Sequence, residues 1–140
     1  MNKKLDSTRD YVEFYLEKLR SGDFEVAFHA FGDVGHSVVP MLIDAFRQET
    51  KTAIRAELVD IIWNHHRRPE TVVFLAEALG DRDSKVWKSA LDGLVAMASP
   101  VALEVLKTAL SRQLPSRKHT DQFHEWVKEA ITQVQERLDA

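Results

Sequence analysis

Asp60 and Asp92 stand at equivalent places in two matching apolar patterns, and Glu57 lies one turn from Asp60 on the same expected helix. Carboxylates repeated in this way would form an acidic stripe whose chemistry is recognition: it attracts a basic partner and sharpens the rate and specificity of association. The plainer reading is a solvated helix face on which these groups pair with Arg55 or Lys88, because charges at helical spacing are common. Trp87 is the second candidate. It sits at the edge of the apolar face of its helix, and a partly exposed tryptophan is a typical anchor of a protein interface. Its plainer reading is a plug between neighbouring helices, a role open also to Trp63 and Trp126. Trp87, Asp60, Asp92, Glu57, Lys88 and Arg55 together make up the expected partner-binding set.

A second set is basic. Arg67 and Arg68, beside His65 and His66, then Arg82 and Lys85, then Arg112, Arg117 and Lys118 all fall near expected turns between helices. If such turns lie along one rim, Arg67, Arg68, Arg82, Lys85, Arg117 and Lys118 could follow a phosphate backbone. A solubilising edge is the plainer account.

The six histidines do not suggest a metal. His65 and His66 are adjacent and so point in different directions, His119 and His124 straddle a helix start, and no His-Glu-x-x-His run occurs. There is also no phosphate-cradling glycine loop, no Gly-x-Ser-x-Gly elbow and no spaced pair of nucleophile and base. No metal, cofactor or catalytic residue is expected, and the chain reads as non-enzymatic. Only a site gathered from separate segments would escape this reading.

The elements that must carry these residues are bounded by composition. A chain of 140 residues fits one domain, and 44% apolar with 29% charged residues is the balance of a chain that folds alone. The net charge of -3 gives no global attraction to nucleic acid or an anionic membrane, so any such binding needs a local patch. Cysteine is absent, which excludes disulfides and thiolate metal sites and allows a reducing compartment. The first residues lack the apolar run of a secretory signal, and no stretch approaches the roughly 20 apolar residues that cross a bilayer. A cytoplasmic location is expected, with no membrane association.

Between the glycines and prolines the apolar residues recur at three and four, the helical period. About eight helices are expected. The first spans 8–20 and ends at Ser21-Gly22, and the second begins at Asp23 and ends at Gly32. A third starts near Ser37 as N-cap, with Pro40 in its first turn, and a fourth spans 51–64. The fifth, 70–79, is followed by a Gly80 C-cap and an N-cap cluster; the sixth spans 85–98. The seventh starts at Ser99-Pro100, and the eighth starts at about Asp121 after a loop over 113–120. The last helix is polar enough at its outer positions to favour a monomer.

These helices repeat. A shift of 32 places Ile54 on Val86, Leu58 on Ala90, Val59 on Leu91, Asp60 on Asp92 and Ile62 on Leu94. A shift of 40 carries Val86, Ala90, Leu91 and Leu94 onto Trp126, Ala130, Ile131 and Val134. Self-similarity of this length is the signature of a solenoid, whose helix pairs bury their apolar faces only by stacking. The segment 74–94 carries Leu75 in a first helix, an Asp-rich turn with Asp81 and Asp83, then Val86, a long side chain, and Ala90-Leu91 in a second helix. It resembles a HEAT repeat of the small bacterial type, and the resemblance extends over 37–140, with 1–36 as a degenerate N-terminal cap. Trp87 departs from the family, which usually has arginine after that valine.

What the resemblance implies is an all-α, right-handed solenoid of about four stacked antiparallel helix pairs. Its concave face, lined by the second helix of each pair, would hold a protein, a peptide or sometimes nucleic acid. A protein partner, and a basic one, fits the acidic stripe; the chain would then act as adaptor, regulator or inhibitor. An immunity protein that blocks a co-encoded basic nuclease is the sharpest form of that expectation. The alternative is nucleic-acid binding along the basic rim, in the manner of HEAT-like DNA glycosylases.

Overall fold

The computed structural model describes residues 3–140, with side chains from Ser7 onward; Met1 and Asn2 lie outside the described residues. Eight α-helices follow one another: α1 (Lys3–Arg20), α2 (Phe24–Gly32), α3 (Val39–Gln48), α4 (Thr52–His65), α5 (Pro69–Leu79), α6 (Ser84–Met97), α7 (Pro100–Ala109) and α8 (Arg117–Asp139). A single 3-10 turn, His36–Val38, precedes α3, and no strand occurs among the described residues.

Local chemistry sets most of the ends. Gly22 closes α1 with φ +94, a conformation that L side chains rarely adopt, and lets the Asp23 N–H reach the Lys18 carbonyl at 2.9 Å. Asp83 accepts from the Lys85 N–H at 3.0 Å, Ser99 from Ala102 at 3.0 Å and Ser116 from His119 at 3.1 Å. Each satisfies one of the amides that a helix start leaves unpaired. Three expected boundaries move. α1 begins at Lys3 and not at residue 8. Ser37 makes no cap, because the chain enters α3 through the 3-10 turn and Val38 takes the cap position. α8 begins at Arg117 because the Ser116 hydroxyl caps it there, four residues before the expected Asp121.

Two compact units divide at His66/Arg67. In the first, α1 packs on α2, α3 on α4, and α2 on α4, so the segment before residue 37 shares a core with the repeat that follows it. Leu19, Phe31, Leu42, Ile61 and Ile62 are fully buried there. The Tyr11 hydroxyl donates to the Ala30 carbonyl at 2.7 Å, and Glu49 accepts from the Thr50 and Lys51 amides at 3.0 Å while facing Arg20 at 3.5 Å.

In the second unit α5 packs on α6 and α7 on α8, while α5 also meets α7 and α6 meets α8. First helix on first and second on second is the packing of stacked repeats. Two arginines tie the pairs at their two ends. Arg112, after α7, donates to the Leu79 and Asp81 carbonyls at 2.8 Å, next to the turn that follows α5; Arg137, late in α8, donates to the Val95 carbonyl in α6 at 2.7 Å.

The repeat is visible in burial. Ile54, Leu58, Val59, Ile61 and Ile62 in α4 are buried, and so are Val86, Ala90, Leu91, Gly93 and Leu94 in α6, the residues 32 positions later.

Candidate functional site

α6 and α8 present one face on which the expected residues can be placed atom by atom. Val86, Trp87, Ala90, Leu91 and Leu94 turn inward from α6, and Phe123, Val127, Ala130 and Val134 turn inward from α8. Trp87 is only 2% exposed. The expectation of a partly exposed Trp87 is therefore corrected: its indole stands edge-on to the Phe123 ring, with centroids 5.0 Å apart, and is sealed between the two helices.

The most exposed tryptophan is Trp126, at 45%. Its ring lies 6.3 Å from that of Trp87 in an edge-to-face arrangement, and the Lys88 ammonium sits over it at 4.5 Å. Trp126 thus rests on a buried aromatic base and carries a cation on its face. Sequence alignment at a shift of 40 had placed it on Val86, a buried position. The burial register shows the reason for the difference: Val127, not Trp126, takes the inward position of the last helix.

The acidic residues belong to two units. Glu57 and Asp60 share α4 in the first unit, where burial and then the Asp60 charge raise the Glu57 carboxyl above its usual range. Asp60 accepts from the Trp63 indole N–H at 3.1 Å, which holds that ring on its own helix. Asp92 lies in the second unit, one turn after Lys88 on α6, where burial of its surroundings raises its carboxyl above the usual range. Arg55 turns to Phe46, its Nε donating to the Phe46 carbonyl at 3.4 Å and its guanidinium stacking 4.4 Å from the ring; Lys88 is the one that turns to Trp126.

The basic residues do not form one rim. Within the second unit the turn α5–α6 and the turn α7–α8 lie side by side, joined by the Arg112 bonds, and carry Arg82, Lys85, Arg117 and Lys118. Arg67 and Arg68 precede α5 and so stand at the other end of the α5–α6 pair, because two helices packed together across a short turn run antiparallel. Arg68 is engaged there by Glu70 at 3.3 Å. Arg112 is half-buried, and its guanidinium stacks 5.0 Å from Phe123. Arg117 and Lys118 occupy the first turn of α8, not a loop.

Sequence spacing gave no signal for a histidine cluster in the first unit. His66 is 1% exposed; one ring nitrogen, Nε2, lies 3.0 Å from the Phe31 carbonyl and the other, Nδ1, lies 2.8 Å from Nδ1 of His36. His65 points elsewhere, against Phe28 with ring centroids 4.2 Å apart, and its ring lies so close to Gly32 that a Cβ there would meet it at 2.7 Å. Among the described residues no three His, Cys, Asp or Glu side chains are grouped to hold a metal, and no helix is long and apolar enough to cross a membrane.

A search for similar characterised proteins and solved structures finds no match. The family model for HEAT repeats matches residues 39–120, more than half of the chain, from the first residue of α3 to the first turn of α8. With first helices packed on first and second on second, and with α4 and α6 buried in one register, the chain belongs to the HEAT-repeat family.

Proposed function

We propose that this chain is a non-catalytic module that binds another protein through the face formed by α6 and α8, the second helices of the repeats in the second unit, with Trp126 as the anchor. The observation that carries the reading is an exposed tryptophan set on a buried aromatic base and held under Lys88. A large ring that is already fixed loses little freedom on association, which is what gives such residues their weight in interfaces. Asp92 follows Lys88 by one turn of α6 and Glu129 follows Trp126 by one turn of α8, so the anchor has carboxylates beside it. A partner with an apolar side chain flanked by cations suits that surface. An inhibitor or immunity protein acting on a basic target is the most specific form of this reading, and an adaptor or regulator the more general one.

Binding along a nucleic-acid backbone has less support, since Arg67 and Arg68 stand away from the other basic residues of the second unit and Arg112 is committed to backbone carbonyls.

The test is affinity capture from the native cell extract with the wild-type chain beside Trp126→Ala and Asp92→Lys, followed by binding of the identified partner in purified form. The expected result is one protein retained by the wild type, at least about tenfold weaker with Trp126→Ala, which is a loss of about 1.4 kcal/mol, and indifferent to nuclease. Equal affinity for all three forms, or retention that disappears with nuclease, would overturn it.

A further inference from the structure

The His36–His66 contact is a hydrogen bond between two imidazoles, each of which can take up one further proton. The Phe31 carbonyl can only accept, so Nε2 of His66 carries a proton and donates it. A neutral His66 therefore offers a lone pair at Nδ1, and His36 donates its own Nδ1–H across the 2.8 Å gap. His36 is exposed and its other nitrogen can take a proton from solvent without disturbing that bond. One added proton is tolerated. A second would put an N–H on both facing nitrogens, and two donors cannot remain 2.8 Å apart.

From this geometry we propose that the His36–His66 pair is a proton-operated latch, which fastens the turn before α3 to the end of α4 at neutral pH and opens in mild acid.

The groups around the pair support that direction. From α2 comes the Phe31 carbonyl, and from α4 comes His65. Burial, then the His36 and His65 charges, lower the His66 pKa, against the opposing pull of the Phe31 carbonyl. A His whose pKa is depressed by folding contributes stability that is complete above its unfolded value, about 6.5, and is lost as pH falls below it toward the folded value. Glu57 acts with the opposite sign, since a raised carboxyl favours the folded state as pH falls.

Other histidine contacts survive protonation. His124 donates to the Arg112 carbonyl at 2.8 Å, His119 meets the Ser116 hydroxyl at 2.7 Å, and His29 faces Glu25 at 3.8 Å; each partner accepts from a charged ring as well as from a neutral one. The loss of a histidine contact in acid is thus confined to the first unit, and the raised Asp92 carboxyl of the second acts with the opposite sign.

The test is residue-resolved amide hydrogen exchange on the full chain from about pH 7.5 to about pH 5, corrected for intrinsic exchange. Amides of α3 and the end of α4 are expected to lose about tenfold in protection for each pH unit below about 6.5 until His66 is charged in the folded state, while α5 to α8 keep theirs. His66→Gln keeps both bonds, with its amide N–H on the Phe31 carbonyl and its oxygen toward His36, and removes the titration. His36→Gln, at an exposed position, does the same from the other side if His66→Gln folds poorly. Both variants are expected to flatten the acid response of α3 and α4. A wild type indifferent to pH in that range, the same acid loss retained in the variant that folds, or parallel loss in α5 to α8 would each overturn the latch.

Discussion

α4 in the first unit and α6 in the second bury the same five positions, yet differ at the residue after the first of them, where α4 has Arg55 and α6 has Trp87. Arg55 reaches back within its own helix pair, donating to the Phe46 carbonyl near the end of α3 and stacking on the Phe46 ring. Trp87 reaches forward to the next pair, edge-on to Phe123 of α8. Nine residues before Arg55 stands Phe46, and nine before Trp87 stands Ala78, both buried. A large ring followed by a cation is exchanged for a methyl followed by a large ring. The lesson is that one slot of a repeat can either close its own pair or join two pairs, depending on where the bulk is placed. In the second unit a cation from the following repeat, Arg112, also stacks on Phe123 and donates to the Leu79 carbonyl at the end of α5.

The largest expected effect comes from removing the forward wedge. Trp87→Ala takes out a ring that is 2% exposed and is expected to cost about 3–5 kcal/mol of stability, read as a lowered midpoint in denaturant unfolding. Trp126→Ala, cut from a ring at 45% exposure, should cost less than about 1 kcal/mol. Equal losses for the two would erase the distinction between wedge and anchor. A sharper version restores the family residue. Trp87→Arg alone leaves a buried charge and a void, whereas Trp87→Arg with Ala78→Phe rebuilds the Phe46–Arg55 arrangement. A double-mutant cycle is expected to show the pair coupled favourably by about 1–2 kcal/mol. Additive losses would mean that the correspondence between the two slots is one of sequence and not of packing.

How far such differences were legible in the sequence depends on their range. Helix ends set by a neighbour in sequence, such as Asp83 on Lys85 or Ser99 on Ala102, follow from residue type. The burial register of α4 and α6 follows from apolar periodicity, and the resemblance to the family lies in the residues of 74–94. Trp87 read as half-exposed because an edge position on one helix says nothing about a ring arriving from α8, thirty-six residues later. The same limit hid Trp126, whose role depends on the residues beneath it. The basic residues read as one rim because spacing records that a turn is near and not which end of a helix pair it closes. The His36–His66 bond left no trace at all, because it joins residues thirty apart that no spacing rule pairs.

The arginine staples give the intermediate and smallest effects. Arg112→Met keeps much of the apolar stem over Phe123 and removes two bonds to carbonyls, so about 1.5–3 kcal/mol is expected. Burial lowers the Arg112 guanidinium from its ordinary value, with Asp81 opposing that shift, yet it stays charged across the accessible pH range, so its contribution should be independent of pH where that of the histidine pair is not.

Arg137 tests the other end of the same unit. Its side chain is exposed and its strong bond is a single one, to the Val95 carbonyl at 2.7 Å, with Ala96 at the limit of contact at 3.5 Å. Water can replace it there, which it cannot do as readily at the half-buried Arg112. Arg137→Ala is expected to cost about 0.5 kcal/mol in global unfolding, near the floor for a single hydrogen bond. Its visible consequence should be local: faster amide exchange in the last turn of α8, beyond its last buried residue, Val134, and unchanged exchange at Val127 and Ala130 in its middle. A global loss as large as that of Arg112→Met would show that the two ends of the second unit are equally dry, and that the difference in exposure between the two staples does not set their strength.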